Sequence, residues 1–287
     1  MLLALGLATN PLGLAAILLA LAFVSFGLLA STAHLGHKER AWRALSQWRS
    51  SWLSREGIAA LASYGPALAL LLALWLEASF PLLAALGLLV ALLAAITVYC
   101  TAMIYRSLKP IPQWHNPHTV PAYLALALAT GGLWLTALAG LLHAPSRAAA
   151  IAALLGLALA MLAKQRYWRF IDESPSGLTI EAATGLGKHG KVRLLDPPHS
   201  DSNYLMKEMG FRIARKHGER LRALFRIAGL ALPALLILPS LLLDGLIPAT
   251  AALAAASLAT LGALTERWLF FAEAKHTIQL YYGQNAV

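Results

Sequence analysis

Residues 81–105 read PLLAALGLLVALLAAITVYCTAMIY, a run without a single charged side chain. At about 1.5 Å per residue, an α-helix of this length crosses the roughly 30 Å hydrocarbon core of a bilayer. The run does not alternate between polar and apolar residues, so a strand of a membrane barrel does not fit it. We therefore predict a transmembrane helix here.

Runs of the same kind recur along the chain, and seven spans can be drawn in total. Their bounds are 11–33, 57–77, 81–105, 119–142, 147–166, 223–243 and 246–265. The 287 residues are 59% hydrophobic and only 13% charged, with a mean hydropathy of +0.65. Soluble domains carry about 25% charged residues. The sequence predicts an all-α polytopic transmembrane helical bundle, forming a single integral membrane domain over residues 1–287.

The basic residues are distributed unevenly between the two sides of this bundle. Of the 23 lysines and arginines, all but Arg147 fall on one side when the spans alternate. By the positive-inside rule that side is cytoplasmic. We predict a multi-pass protein of the bacterial cytoplasmic (inner) membrane, with its basic loops and C-terminus in the cytoplasm. These loops also explain the net charge of +10, so no nucleic-acid partner is expected.

Segment 164–226 is predicted to be a long cytoplasmic segment within the membrane domain. Glycine and proline mark turns in its first part, and an amphipathic basic helix is expected from Tyr204 to Arg226. This helix either lies on the membrane surface or serves as a docking arm for a partner. The two interpretations are compatible.

Histidine and cysteine usage limits the cofactors that this chain itself could hold. The nine histidines all lie at span ends, in loops or in the tail, which disfavours haem held between facing helices. The single cysteine, Cys100, excludes a cysteine-ligated iron–sulfur cluster within the chain. We expect neither haem nor a metal site here.

His34 and Glu56 form the most suggestive pair of polar residues, at the ends of the first two spans. Reduction of a lipid-soluble quinone takes up two protons with two electrons, so its site needs groups that exchange protons at the membrane edge. His34 titrates near neutral pH and Glu56 is a carboxylate, so the pair could serve. A plain helix-end histidine remains an equally good interpretation of His34.

Five short motifs resemble the DmsC-type anchor subunits of DMSO reductase. They are STAHLG at 31–36, RAWRAL at 40–45, WLSRE at 52–56, AMIY at 102–105 and QWHNP at 113–117. The resemblance covers most of the chain. The family usually has eight helices, and the first of them is expected to be missing here.

The resemblance implies a haem-free protein that binds ubiquinone or menaquinone. Its expected partners are a molybdopterin catalytic subunit and an iron–sulfur subunit, which hold the molybdopterin and the iron–sulfur clusters. In the family, residues matching His34 and Glu56 are linked to quinol binding, and these two are our catalytic and cofactor-binding candidates. Weaker candidates for the wall of the site, chosen by proximity alone, are Arg40, Tyr105, Trp114 and His115.

The loops beside the candidate site are basic and are predicted to be cytoplasmic. In this respect the chain is similar to the branch of the family that anchors cytoplasmic sulfite-oxidising complexes. We therefore expect electrons to pass from sulfite, through the partner subunits, to quinone. An anchor that oxidises menaquinol for a DMSO or polysulfide reductase is the alternative. A transporter, or a scaffold without quinone, is a remote one. Whether the chain counts as an enzyme is open, since the molybdenum chemistry would belong to a partner.

Overall fold

The computed structural model describes residues 10–33, 35–173, 179–193, 195–196, 216–275 and 280. Within this part of the chain, seven helices are long and apolar enough to cross a membrane, which confirms the predicted all-α bundle. The helices are α1 (Asn10–Ala33), α2 (Trp52–Trp75), α3 (Phe80–Arg106), α4 (Thr119–Leu141), α5 (Arg147–Glu173), the short α6 (Ile180–Thr184), α7 (Gly218–Leu241) and α8 (Leu246–Ala272).

Several spans are longer than the sequence predicted. Helix α2 begins at Trp52 rather than at residue 57, α5 continues to Glu173 rather than ending at 166, and α8 ends at Ala272 rather than at 265. Hydropathy ends a span at the first charged residues. In the folded chain the helices continue past these residues, and three of the charges, Lys164, Glu266 and Arg267, pair in the interior, where charged side chains within membrane helices are usually found.

Short turns join the helices at one end of the bundle, and long segments join them at the other. The short turns each contain a residue with positive φ, namely Glu77, His143 and Gly245. The long connections contain a 3₁₀ helix (Lys38–Leu45), the segment 107–118 and the segment 179–193. We call the end that carries these long connections the basic end.

The predicted segment 164–226 is shorter at both ends than expected, because α5 includes its first residues and α7 begins at Gly218. Residues 197–215 lie outside the described residues, so most of the helix expected from Tyr204 is untested. The described part forms α6, capped by the Thr179 hydroxyl, and a 3₁₀ helix at Leu186–His189. Its role as a docking arm stays a prediction.

The main core lies between α4, α5, α7 and α8. Alanine fills much of it, and Ala129, Ala153, Ala160 and Ala256 are almost entirely buried. Small residues let helix backbones approach closely, and such approach provides much of the packing energy inside a membrane. A second, smaller core joins α2 to α3.

Helix α7 is irregular where it crosses α8. Its middle, Phe225–Ala231, is a π-helix, and Pro233 follows soon after it. Gly229 in this turn packs against Gly262 of α8 so closely that a Cβ on Gly262 would lie 2.5 Å from the Gly229 Cα. A π-turn is wider than an α-turn and re-aims the residues within it. Here it brings two glycine backbones into contact.

Candidate functional site

Glu56 lies in the second turn of α2 at the basic end. This helix begins where the Ser51 side chain accepts a hydrogen bond from the Ser54 N–H. The Glu56 carboxylate is half-buried and faces α3, where the Thr101 hydroxyl donates a 2.6 Å hydrogen bond to its Oε1. No ion-pair partner of Glu56 is found in the described part of the chain. A carboxylate held this way can accept or release a proton at the membrane edge.

Arg55, the neighbour of Glu56 in sequence, is held away from it by the loop before α2. Its guanidinium lies 4.3 Å from the centre of the Trp52 ring and donates to the carbonyl oxygens of Trp48 (2.8 Å) and Arg49 (2.7 Å). Arg55 therefore stabilises the turn that leads into α2. The carboxylate next to it remains available for other chemistry.

An aromatic cluster lies beside Glu56 at the end of α3. Tyr105, one helical turn after Thr101, is half-buried and contacts Trp114 at 5.3 Å and Phe270 at 5.3 Å between ring centres. The Trp114 indole N–H donates a 2.9 Å hydrogen bond to the backbone oxygen of Phe270, and its ring is buried. The cluster joins the loop after α3 to the end of α8.

The predicted site residues are only partly brought together. Tyr105 lies one turn of α3 after Thr101, the residue that is hydrogen-bonded to Glu56, and Trp114 packs on Tyr105. Arg40 is exposed on the 3₁₀ helix, 3.7 Å from a Glu39 oxygen. His115 is also exposed, with its Nδ1 2.5 Å from the backbone oxygen of Arg106. His34 lies outside the described residues.

A buried ion cluster that the sequence did not predict lies beyond the aromatic cluster. The Lys164 Nζ of α5 lies 2.6 Å from Oε1 of Glu266 on α8, and Arg267 pairs with the other carboxylate oxygen. The Lys164 and Glu266 side chains are 2% and 0% exposed. Two cations thus share one carboxylate within the bundle.

Aromatic rings surround these two cations. The Lys164 Nζ lies 3.7 Å from the centre of the Tyr167 ring, and the Arg267 guanidinium lies 3.9 Å from that of Tyr123. Cation–π attraction strengthens when the ion is removed from water. Tyr123 also stacks on Tyr105 at 6.1 Å, so the ion cluster and the Glu56 region are parts of one packed assembly. In the sequence, this cluster is indicated only by charged residues near the ends of two predicted spans, Lys164 in one and Glu266 and Arg267 after the other.

A second ion network closes the basic end between α5, α7 and α8. Arg222 donates to both oxygens of Asp172, at 2.7 and 3.0 Å, and to Oε1 of Glu273 at 2.6 Å. It also reaches Glu219 at 2.9 Å. Burial raises the pKa of Glu273 above its usual value, and the Arg222 guanidinium opposes that rise. This network joins three helix ends.

No group of three or more histidine, cysteine, aspartate or glutamate side chains is arranged to hold a metal ion in the described part of the chain. The polar groups near Glu56 are instead a carboxylate, a hydroxyl and a phenol, alongside apolar rings. This set suits a largely apolar ligand with a few oxygen atoms.

Comparison with known proteins identifies the family. The family of DMSO reductase anchor subunits (DmsC) matches residues 12–272. A sulfite dehydrogenase subunit of Allochromatium vinosum is 32% identical over 281 residues, a match that covers 92% of this chain and 84% of that protein. No solved structure matches the chain. The predicted resemblance is confirmed, and the chain belongs to the DmsC family of membrane anchor subunits.

Proposed function

We propose that this chain is the quinone-binding membrane anchor of a molybdopterin oxidoreductase that passes electrons from sulfite to quinone. The observation that carries the proposal is the Glu56 carboxylate, hydrogen-bonded by Thr101 inside a membrane helix and without a described cationic partner. A charge kept in such a place is costly, so it is a functional candidate by default.

Quinone chemistry would give this carboxylate a task. A bound quinone accepts two electrons and two protons to become a quinol. Glu56 would pass a proton to a ring oxygen, and Thr101 would orient the carboxylate. His34 directly follows the last described residue of α1, and we propose it as the second proton-exchanging group because histidine is the residue type whose unperturbed pKa lies nearest to neutral pH.

The surroundings of Glu56 favour a ligand that arrives from the lipid. Trp52 lies one turn before Glu56 on the same face of α2, and its ring meets Tyr99 of α3 edge-on at 5.9 Å. Tyr99 is 39% exposed on the outer surface of the bundle. Aromatic side chains near the membrane edge can stack on the flat ring of a quinone as it enters from the lipid. Tyr105 would bound the inner side of the same site.

The basic end would face the partner subunits and the cytoplasm. Nearly all lysines and arginines fall at that end, and oppositely charged surfaces speed and orient docking. We propose that the iron–sulfur subunit docks there, with the molybdopterin subunit beyond it, in the bacterial inner membrane. The name of the A. vinosum relative favours sulfite as the source of electrons.

A second direction of electron flow has one observation in its favour. The matching family is described as the anchor of DMSO reductase. An anchor of that kind would oxidise menaquinol and supply a reductase. The same carboxylate would then remove protons rather than provide them.

The decisive experiment replaces Glu56 by Gln in the assembled complex. Quinone-coupled oxidation of sulfite is compared with oxidation measured with a soluble electron acceptor that bypasses the anchor. We expect at least about a tenfold loss of the quinone-coupled rate, since positioned acid–base groups contribute roughly 10²–10⁴-fold. The rate with the soluble acceptor should not change.

Glu173→Gln is the matched control, because Glu173 is an exposed carboxylate at the same end of the bundle. It should leave both rates as they are. Full quinone-coupled turnover in an assembled Glu56→Gln complex would refute the assignment of the site. A complex that turns over menaquinol and DMSO but not sulfite would favour the second direction.

A further inference from the structure

A groove runs along the outer surface between α4 and α5, starting at the basic end. Its cavity volume is about 330 Å³. His118 and Arg166 lie at its mouth, and apolar side chains of both helices line the rest, among them Leu124, Leu128 and Leu159. The groove takes no part in the site around Glu56.

The length of the groove matches one leaflet of a bilayer. From His118 to Leu128, α4 rises roughly 15 Å at about 1.5 Å per residue. The hydrocarbon core is roughly 30 Å thick, so one leaflet contributes about half of that depth. An acyl chain that starts at the membrane surface would therefore end near Leu128.

The mouth of the groove is cationic. Arg166 is exposed, and no carboxylate among the described residues pairs with it. The His118 ring rests edge-on against Phe170 at 5.8 Å, and its backbone N–H donates to the Asn116 side-chain oxygen. An arginine at the membrane edge directs its charge to the headgroup region and binds phosphate well.

We propose that this groove binds one anionic phospholipid, with its phosphate at Arg166 and His118 and one acyl chain along α4 and α5. Charge complementarity selects this occupant. A quinone could fill the apolar part, but a neutral ring would leave the Arg166 guanidinium without a counter-charge. A phosphate satisfies the cation and the apolar wall together.

The test uses the purified full-length protein with any subunits that co-purify, released from nanodiscs of phosphatidylglycerol and phosphatidylcholine in equal amounts. Native mass spectrometry counts the lipids that stay bound. We expect Arg166→Gln to reduce retained phosphatidylglycerol at least threefold. Arg169→Gln, which removes an exposed cation outside the groove on the same helix, should change it little.

A second pair of variants tests the apolar part without changing any charge. Ala163 lines the groove, so Ala163→Phe should fill it and reduce retention by a similar factor. Ala158 is exposed on the same helix but does not line the groove, and Ala158→Phe should have little effect. Ala163 is partly exposed and Ala158 is exposed on the outer surface, so we expect the fold to survive both changes.

Three outcomes would overturn the proposal. Equal loss in Arg166→Gln and Arg169→Gln would mean general attraction to the basic end. Equal retention of phosphatidylcholine and phosphatidylglycerol would exclude selection by charge. A co-purifying quinone that Ala163→Phe removes, with no change in phospholipid, would assign the groove to quinone instead.

Discussion

The Nζ of Lys164 on α5 lies 2.6 Å from Oε1 of Glu266 on α8, and neither side chain reaches solvent. Arg267 pairs with the other oxygen of the same carboxylate. The pair ties two helices that are distant in sequence, inside a region where an unpaired charge is very costly. Because two cations share one carboxylate, losing the carboxylate should destabilise the protein more than losing either cation.

Loss of Glu266 should destabilise the protein more than loss of Lys164. Glu266→Gln leaves two buried cations facing each other, and we expect a cost of about 3–5 kcal/mol, as for other broken buried ion pairs. Lys164→Met leaves Glu266 with Arg267 still in place, so its cost should be smaller. Thermal unfolding in detergent measures both. The reverse order would show that Arg267 does not compensate Glu266.

The crossing of α7 and α8 should not accept a methyl group at Gly262. A Cβ there would lie 2.5 Å from the Gly229 Cα, so the helices must separate, at a cost of about 1–3 kcal/mol. Gly131→Ala is the control, since a Cβ at Gly131 meets nothing within 4 Å. We expect a lower melting temperature for Gly262→Ala only. Equal melting temperatures would mean that α7 can shift freely.

The Trp114 indole should stabilise the folded protein through the hydrogen bond of its N–H as well as through the packing of its ring. Trp114→Phe retains most of the apolar surface but leaves the backbone oxygen of Phe270 without this donor. We expect a loss of about 1 kcal/mol, typical of one hydrogen bond. Trp48→Phe, at a 52% exposed position, should cost much less. If both variants unfold alike, the bond adds nothing to stability.

The proposed orientation can be read from cysteine labelling. Cys100 is the single cysteine and is buried, so a Cys100→Ala background gives a clean reporter. Lys188→Cys, at the basic end, should react with a membrane-impermeant maleimide only in inverted vesicles. Asp244→Cys, in the turn at the opposite end, should react only in right-side-out vesicles. The opposite pattern would place the basic end in the periplasm and remove the main support for sulfite oxidation.

Of the candidate site, the part that could be predicted is the part encoded in short motifs. Glu56 is predicted from such a motif, whereas Tyr105 is predicted from proximity alone. Both lie at the same end of the bundle because α2 and α3 pair through a short turn. Trp114, a predicted wall of the site, packs on Tyr105 in the aromatic cluster, and its indole N–H donates to the backbone oxygen of Phe270 on α8. That partner is 156 residues away in the chain, and no motif records such a contact.

The membrane class, the seven spans, the uneven distribution of charge and the family could all be read from the order of the residues. Each of these depends on runs of consecutive residues, and the bilayer thickness gives such runs a definite length. Which charges lie inside, as with Lys164 and Glu266, and which side chains share a surface, as with His118 and Arg166, emerged only from the folded bundle. A buried charge is stable only beside a counter-charge, and that counter-charge comes from a helix that the chain reaches much later.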